Sequence, residues 1–189
     1  MSRKRKKARM RKLHSFTDVV HVKDKFLDSA TCKKYIHLAR KPSIKVRSSY
    51  SSVNNQLWEE RVVDITNDPI VLKVKEFLDA EFGLNLQITR AQIQNWIKGS
   101  NGGLHRHYPD PSTYNSLIYL NTDFKGGVFF TSCGVVVNAE VGRLTFFNGK
   151  KVFHGVSEVE GGDRFTLIFF WRELREERGS LLSSGGKNR

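Results

Sequence analysis

The 189 residues carry 32 lysines and arginines against 19 aspartates and glutamates, a formal net charge of +13, and 39% are hydrophobic. That length suits one domain with a core large enough to fold without staples, and Cys32 and Cys133 allow at most one disulfide, which sets aside a secreted scaffold held by cysteines. No apolar run approaches the roughly 18 residues of a membrane span, and no signal-peptide-like apolar stretch follows the basic N-terminus, so an intracellular protein without membrane contact, cytoplasmic or nuclear, is expected.

The chain opens on its charge. Arg3, Lys4, Arg5, Lys6, Lys7, Arg9, Arg11 and Lys12 account for 8 of the 13 excess charges, and the remainder carries 24 basic against 19 acidic residues. Like charges with almost no apolar partners cannot offset their ordering entropy, so residues 1–16 are expected as a disordered basic tail. Its functional reading is a nuclear-targeting signal or a contact with a polyanion, beside the plain alternative of a solvated tail. No aromatics interleave these basics, so stacking on single strands is not indicated. The domain proper is expected over residues 17–178, and the Gly/Ser-rich residues 179–189 as a flexible C-terminus.

Within the domain, Cys32, Tyr35, Ile36, Leu38 and Ala39 recur on one helical face, with Asp28 or Ser29 as cap and Pro42 as stop. The segment from Ser43 to Asp64, containing Ser48 to Val53 and Trp58, reads either as a mobile loop over a site or as a connector. Asp68-Pro69 opens a second amphipathic helix through Ile70, Val71, Val74, Phe77 and Leu78, ending before Gly83. Both helices are expected to cover one face of a sheet. Short strands follow: Leu86 to Trp96, Tyr114 to Leu120, Val128 to Thr131, Val135 to Val137, Arg143 to Phe147, Val156 to Val159 and Phe165 to Trp171, punctuated by glycine-bearing turns. Such spacing predicts a β-sandwich or barrel, not a parallel βαβ sheet.

The histidines narrow where chemistry sits. His14, His21 and His37 lie in the tail and first helix region and read as ordinary surface or core residues. His105 and His107 flank Arg106 at a strand-to-loop boundary, Asp110 follows three residues later, and His154 precedes Gly155-Val156 after a turn. Two imidazoles and a carboxylate on one face of an octahedral ion leave three positions open, the usual arrangement for non-haem Fe(II) with an oxidant and a chelating cosubstrate. Arg164, ten residues after His154 and opening the last apolar strand, adds a group that pairs bidentately with the far carboxylate of a 2-oxo acid.

With these residues in place, the region from Val20 to Trp171 resembles the catalytic domain of the 2-oxoglutarate- and Fe(II)-dependent prolyl hydroxylases, including the collagen and oxygen-sensing types. The matching stretches are Val22 to Cys32, Gly103-Leu104-His105-Arg106-His107-Tyr108-Pro109-Asp110, Tyr119-Leu120-Asn121, Phe124 to Gly127, Gly142 to Phe146, His154-Gly155-Val156 and Gly162-Asp163-Arg164. The resemblance covers about 150 of the 189 residues and implies a mainly β fold with flanking helices, a double-stranded β-helix of jelly-roll, cupin-like type. It implies His107, Asp110 and His154 as metal ligands, Arg164 and Tyr119 as the cosubstrate anchors, and Trp171 as a core aromatic. It further implies Fe(II), 2-oxoglutarate and O2 as cofactors with ascorbate as a reductant, and a protein or peptide substrate hydroxylated at a prolyl or other amino-acid residue while 2-oxoglutarate is decarboxylated to succinate.

One departure stands out. The family pattern is His-x-Asp, whereas Asp110 lies three residues beyond His107. In a strand, residues two apart share a face and residues three apart do not, so Asp110 needs a bulge or turn, for which Pro109 gives a reason. His105-x-His107 has the family spacing with an all-histidine site, and a domain that has lost its metal is the third reading. Two functions of other classes stay beside the hydroxylase: a non-catalytic binding module, and a nucleic-acid oxygenase, against which Phe170 stands where that family repeats an arginine.

Overall fold

The structure, a computed structural model, describes residues 20–41, 46–51, 56–107 and 112–174. The basic tail, the C-terminal segment, Pro42 and Asp110 therefore lie outside the described residues. In chain order the elements are β1 (His21–Lys23), α1 (Ser29–Ala39), β2 (Val46–Ser51), β3 (Gln56–Asp64), α2 (Pro69–Phe82), β4 (Leu86–Trp96), β5 (Gly102–His105), β6 (Tyr114–Tyr119), β7 (Lys125–Gly126), β8 (Phe129–Thr131), β9 (Val136–Val137), β10 (Leu144–Asn148), β11 (His154–Val156), β12 (Val159–Gly161) and β13 (Arg164–Glu173).

Both helices begin and end where local chemistry dictates. The Asp28 carboxylate accepts from the Thr31 amide and caps α1, and Asp68 accepts from the Ile70 amide ahead of Pro69 and caps α2. Gly83 ends α2 in the left-handed region at φ 66, a conformation that costs a glycine nothing. Asp68 also accepts the phenolic O–H of buried Tyr35 at 2.6 Å, which ties the two helices together. Asp68→Ala removes a cap and strands that hydroxyl, an expected loss of about 2–3 kcal/mol. In a chain of this size a thermal melt should drop by roughly 4–12 °C, and an unchanged midpoint would show that the tie carries no load.

All strand pairing is antiparallel. A seven-stranded sheet runs β1-β10-β6-β13-β4-β3-β2, a four-stranded sheet runs β5-β11-β8-β9, and β12 pairs with β7. This is a jelly-roll β fold with two helices against the larger sheet, both of them touching β4. The segment expected as a loop or connector between Ser43 and Asp64 is instead largely a hairpin, β2 on β3, added to the edge of β4. Its alternation of Val46, Ser48 and Tyr50, with Val62 and Val63 following, suits a pleated strand better than a solvated loop. The strand expected over Val156 to Val159 is broken in two, because β11 belongs to the four-stranded sheet and β12 pairs elsewhere.

Side-chain alternation at a period of two sorts the larger sheet into an apolar and a polar face. On the helix side, Phe165, Leu167, Phe169 and Trp171 of β13 pack with Ile118, Leu144, Ile93 and the helix residues Cys32, Tyr35, Val74 and Leu78. Trp171 is fully buried, as expected of a core aromatic, and its indole N–H donates to Ser116 Oγ at 2.9 Å. The opposite face turns toward the four-stranded sheet and carries buried Arg164, Thr166, Asn115, Thr145 and Tyr119 beside the apolar residues Leu117 and Phe147, with Phe129 of β8 packed on them from the four-stranded sheet. Cys32 is buried and Cys133 exposed, and neither is in a disulfide. Among the described residues no helix is long and apolar enough to cross a membrane.

Candidate functional site

Three imidazoles meet where the four-stranded sheet faces the larger one. His154 on β11 is the direct cross-strand partner of His105 on β5, so their side chains share a face, with ring centroids 4.5 Å apart. His107, two residues past His105 and just beyond the end of β5, returns to that face; its ring stacks on His105 at 5.3 Å and meets His154 edge-on at 4.9 Å. Its amide donates to the Gly149 carbonyl at 2.9 Å, which fixes the backbone past the strand end. One ligand atom from each ring lies within 4.8 Å of the others.

The environment keeps His154 in ligand form. His154 is 5% exposed and packed between Phe147 and Phe129, and this burial, aided by the neighbouring His105 and His107, pushes its pKa down to about 3. It is therefore neutral at physiological pH, with a lone pair to offer. Its Nδ1 lies 2.9 Å from the Val152 carbonyl and that of His105 lies 2.7 Å from the Gly103 carbonyl. A ring nitrogen facing a carbonyl must carry the proton, so Nε2 is the free ligand atom in both rings. Phe170 on β13 stacks on His107 at 5.4 Å and closes the floor.

The second half of the site is an arginine. Arg164, 2% exposed, begins β13 on the same inner face as Phe170. Its Nε donates to the Gly127 carbonyl at 3.0 Å, and its guanidinium lies 5.4 Å from the Trp96 ring and 5.3 Å from the Tyr119 ring, whose hydroxyl donates to the Val137 carbonyl at 3.4 Å. Gly127 holds φ 60, and a Cβ there would come within 2.8 Å of Arg164 Cδ, so this position needs glycine on both counts. Burial pulls the Arg164 pKa below its ordinary value and raises that of Tyr119, which the adjoining cation opposes. Among the described residues no carboxylate pairs with Arg164. A buried cation without a counter-ion costs several kcal/mol, so the pocket is built to receive an anion.

Two more polar groups face the same space unsatisfied. Both polar side-chain atoms of Asn115 and the hydroxyl of Thr145 are buried with no hydrogen-bond partner among the described residues. Asn115 Oδ1 and His107 Nδ1 both crowd the Cβ position of Gly149, which places the amide beside the imidazole cluster. Orphaned polar atoms are rare in folded interiors and call for a polar ligand or ordered water. Convergent imidazole donors, an unpaired buried arginine and these two groups together fit a divalent metal and an anionic chelating cosubstrate.

Of the residues singled out from the sequence, the structure brings His107 together with His154, and Arg164 together with Tyr119. Asp110 lies outside the described residues. His105, weighed from the sequence only as the alternative, joins the cluster. Sequence reading assigned no site role to Asn115, Thr145 or Trp96, because a polar or aromatic residue at one strand position carries no signal until the sheets are assembled, and it noted Gly127 only within a matching stretch.

No protein-family model matches the sequence, and no curated protein matches it. Solved structures do resemble it. A 2OG-Fe(II) oxygenase family oxidoreductase from Burkholderia pseudomallei superposes with a TM-score of 0.68 at 17% identity, covering 88% of this chain and 90% of that one. A prolyl-4-hydroxylase from Pseudomonas putida gives 0.66 at 17% identity, covering 89% and 98%. A prolyl hydroxylase from Trichoplax adhaerens, in complex with a hypoxia-inducible-factor degradation-domain peptide, gives 0.63 at 13%, covering 92% and 94%. At these identities the likeness establishes the fold, the double-stranded β-helix expected from the sequence.

Proposed function

We propose that this chain is a 2-oxoglutarate- and Fe(II)-dependent dioxygenase that hydroxylates an amino-acid side chain of a protein or peptide, a prolyl ring first among them. The observation that carries the reading is the pairing, on one inner face, of a three-imidazole cluster with a buried arginine that has no acid partner among the described residues. A fold hosts many functions, so the substrate class rests on the prolyl hydroxylases among the structures of this fold, one of them peptide-bound.

When bound, the iron supplies O2 activation coupled to decarboxylation, so that substrate C–H, O2 and 2-oxoglutarate give the alcohol, succinate and CO2. The protein's own residues do the rest. Nε2 of His154, held by the Val152 carbonyl, and a nitrogen of His107 present lone pairs to the ion. Arg164 offers guanidinium N–H groups, and Tyr119 its hydroxyl, to the far carboxylate of 2-oxoglutarate, orienting its 2-oxo acid end toward the imidazoles. Phe129, Phe147 and Phe170 pack around the imidazoles and keep bulk water away from the reacting end.

The test is incubation of the purified chain with Fe(II), 2-oxoglutarate, O2 and ascorbate, scoring succinate and a one-oxygen mass gain on a library of proline-containing peptides. Succinate formation that rises with a peptide and stops on chelation is the expected result. An iron-loaded protein that makes no succinate with any peptide or amino acid would overturn the reading in favour of a binding module. Omitting ascorbate should slow repeated turnover without changing the product.

A further inference from the structure

We infer that the metal centre of this chain is all-imidazole, with His105, His107 and His154 as its protein ligands and no carboxylate among them. The inference rests on the metal-dependent reading above and deepens it at the ligand set.

Three independent features converge on His105. The first is register: His105 and His154 are paired residues of adjacent antiparallel strands, so the sheet itself, not a flexible loop, holds their side chains together. The second is spacing, for His105 and His107 are two apart and return to one face, as their stacked rings show. Asp110 lacks that spacing, standing five residues beyond His105 and three beyond His107. The third is orientation: the Gly103 carbonyl holds His105 Nδ1 in the same way that the Val152 carbonyl holds His154 Nδ1, leaving Nε2 as the ligand atom in both. A surface histidine of no function would have no reason to share this backbone arrangement with its cross-strand partner. Among the described residues no carboxylate enters the cluster.

The chemical consequence is charge. Three neutral imidazoles compensate none of the two charges of a divalent ion, so neutrality falls to the exchangeable ligands. Such a centre favours an anionic bidentate ligand, as a 2-oxo acid is, and holds a dianion with less electrostatic opposition than a carboxylate-bearing centre does.

Metal binding, read apart from turnover, tests the ligand set. Co(II) is titrated into the chelator-treated full chain, with its visible absorption and calorimetric affinity recorded for wild type and for His105→Ala, His105→Gln and Asp110→Ala, each checked for folding by circular dichroism. His105 is exposed, so its replacement should leave the fold intact, and the glutamine variant preserves bulk and polarity. Both His105 variants should bind Co(II) roughly 100-fold or more weakly, while Asp110→Ala binds as wild type does. Loss of affinity in Asp110→Ala, with or without loss in the His105 variants, overturns the all-imidazole centre while leaving a metalloenzyme. Unchanged affinity in all variants removes His105 from the ligand set. Wild-type protein that takes up no Co(II), Zn(II) or Fe(II) overturns this inference and the oxygenase reading together.

Discussion

His154→Ala should remove 2-oxoglutarate-dependent succinate formation by about a thousandfold or more, because the residue is the one imidazole of the cluster that has no solvent-exposed alternative. It is held on three sides: by Phe129 and Phe147 through ring contacts, by His105 through strand register, and by the Val152 carbonyl through Nδ1. No rotamer of a neighbour can replace a ligand fixed in that way. The substitution also strands the Val152 carbonyl and leaves a void beside two phenylalanines, so a stability loss of about 2–4 kcal/mol accompanies it. The two effects separate on measurement. Melting the wild type and the variant in chelator reads the packing loss alone, and the gain in melting temperature on adding Fe(II) or Zn(II) reads the lost ligand. A variant that still shows the wild-type metal-induced shift would show that His154 packs the core and does not ligate.

The parts of this fold that could be read from the sequence are those whose causes are local. Asp28 and Asp68 cap the helices through hydrogen bonds spanning two or three residues, and Gly83 stops α2 by its own φ, so both helices are written in contiguous letters. The long strands β4 and β13 are apolar enough to declare themselves. What the sequence hid depends on partners far along the chain. β5 reads as the tail of a glycine-rich turn, and only pairing with β11, some fifty residues later, makes it a strand. The β2–β3 hairpin holds its place by pairing to β4 at the edge of the larger sheet.

The site divides along the same line. His107, His154 and Arg164 could be picked out because a histidine or arginine beside turns in a β-rich chain is unusual enough to notice. Asp110 was noticed as a carboxylate near two histidines, whereas Tyr119 came only through a resemblance. Asn115 and Thr145 passed unremarked because a small polar residue in a strand is ordinary until its neighbours prove to be phenylalanines and an imidazole. His105 was legible as a spacing and undecidable as a role, and cross-strand register with His154 is the fact that distinguishes it.

Arg164→Met carries the other large expectation, and its sign differs for the two properties it touches. Removing the guanidinium deletes the only buried cation on the inner face among the described residues and with it the partner for the cosubstrate's far carboxylate, so the KM for 2-oxoglutarate should rise by about 100-fold or more. Stability without cosubstrate should change little. The loss of the bond to the Gly127 carbonyl costs about 1–3 kcal/mol, while relief from burying a charge with no counter-ion among the described residues returns a comparable amount. Methionine keeps the volume and the contact with Trp96. The decisive reading is the melt with and without 2-oxoglutarate: at a hundred times its dissociation constant a ligand stabilises its folded partner by about 2.7 kcal/mol, and that gain should vanish in the variant. Arg164→Lys should recover part of it, since a point charge replaces a fork. If Arg164→Met melts far below wild type, or keeps the full 2-oxoglutarate shift, the arginine serves the fold and the anion binds elsewhere.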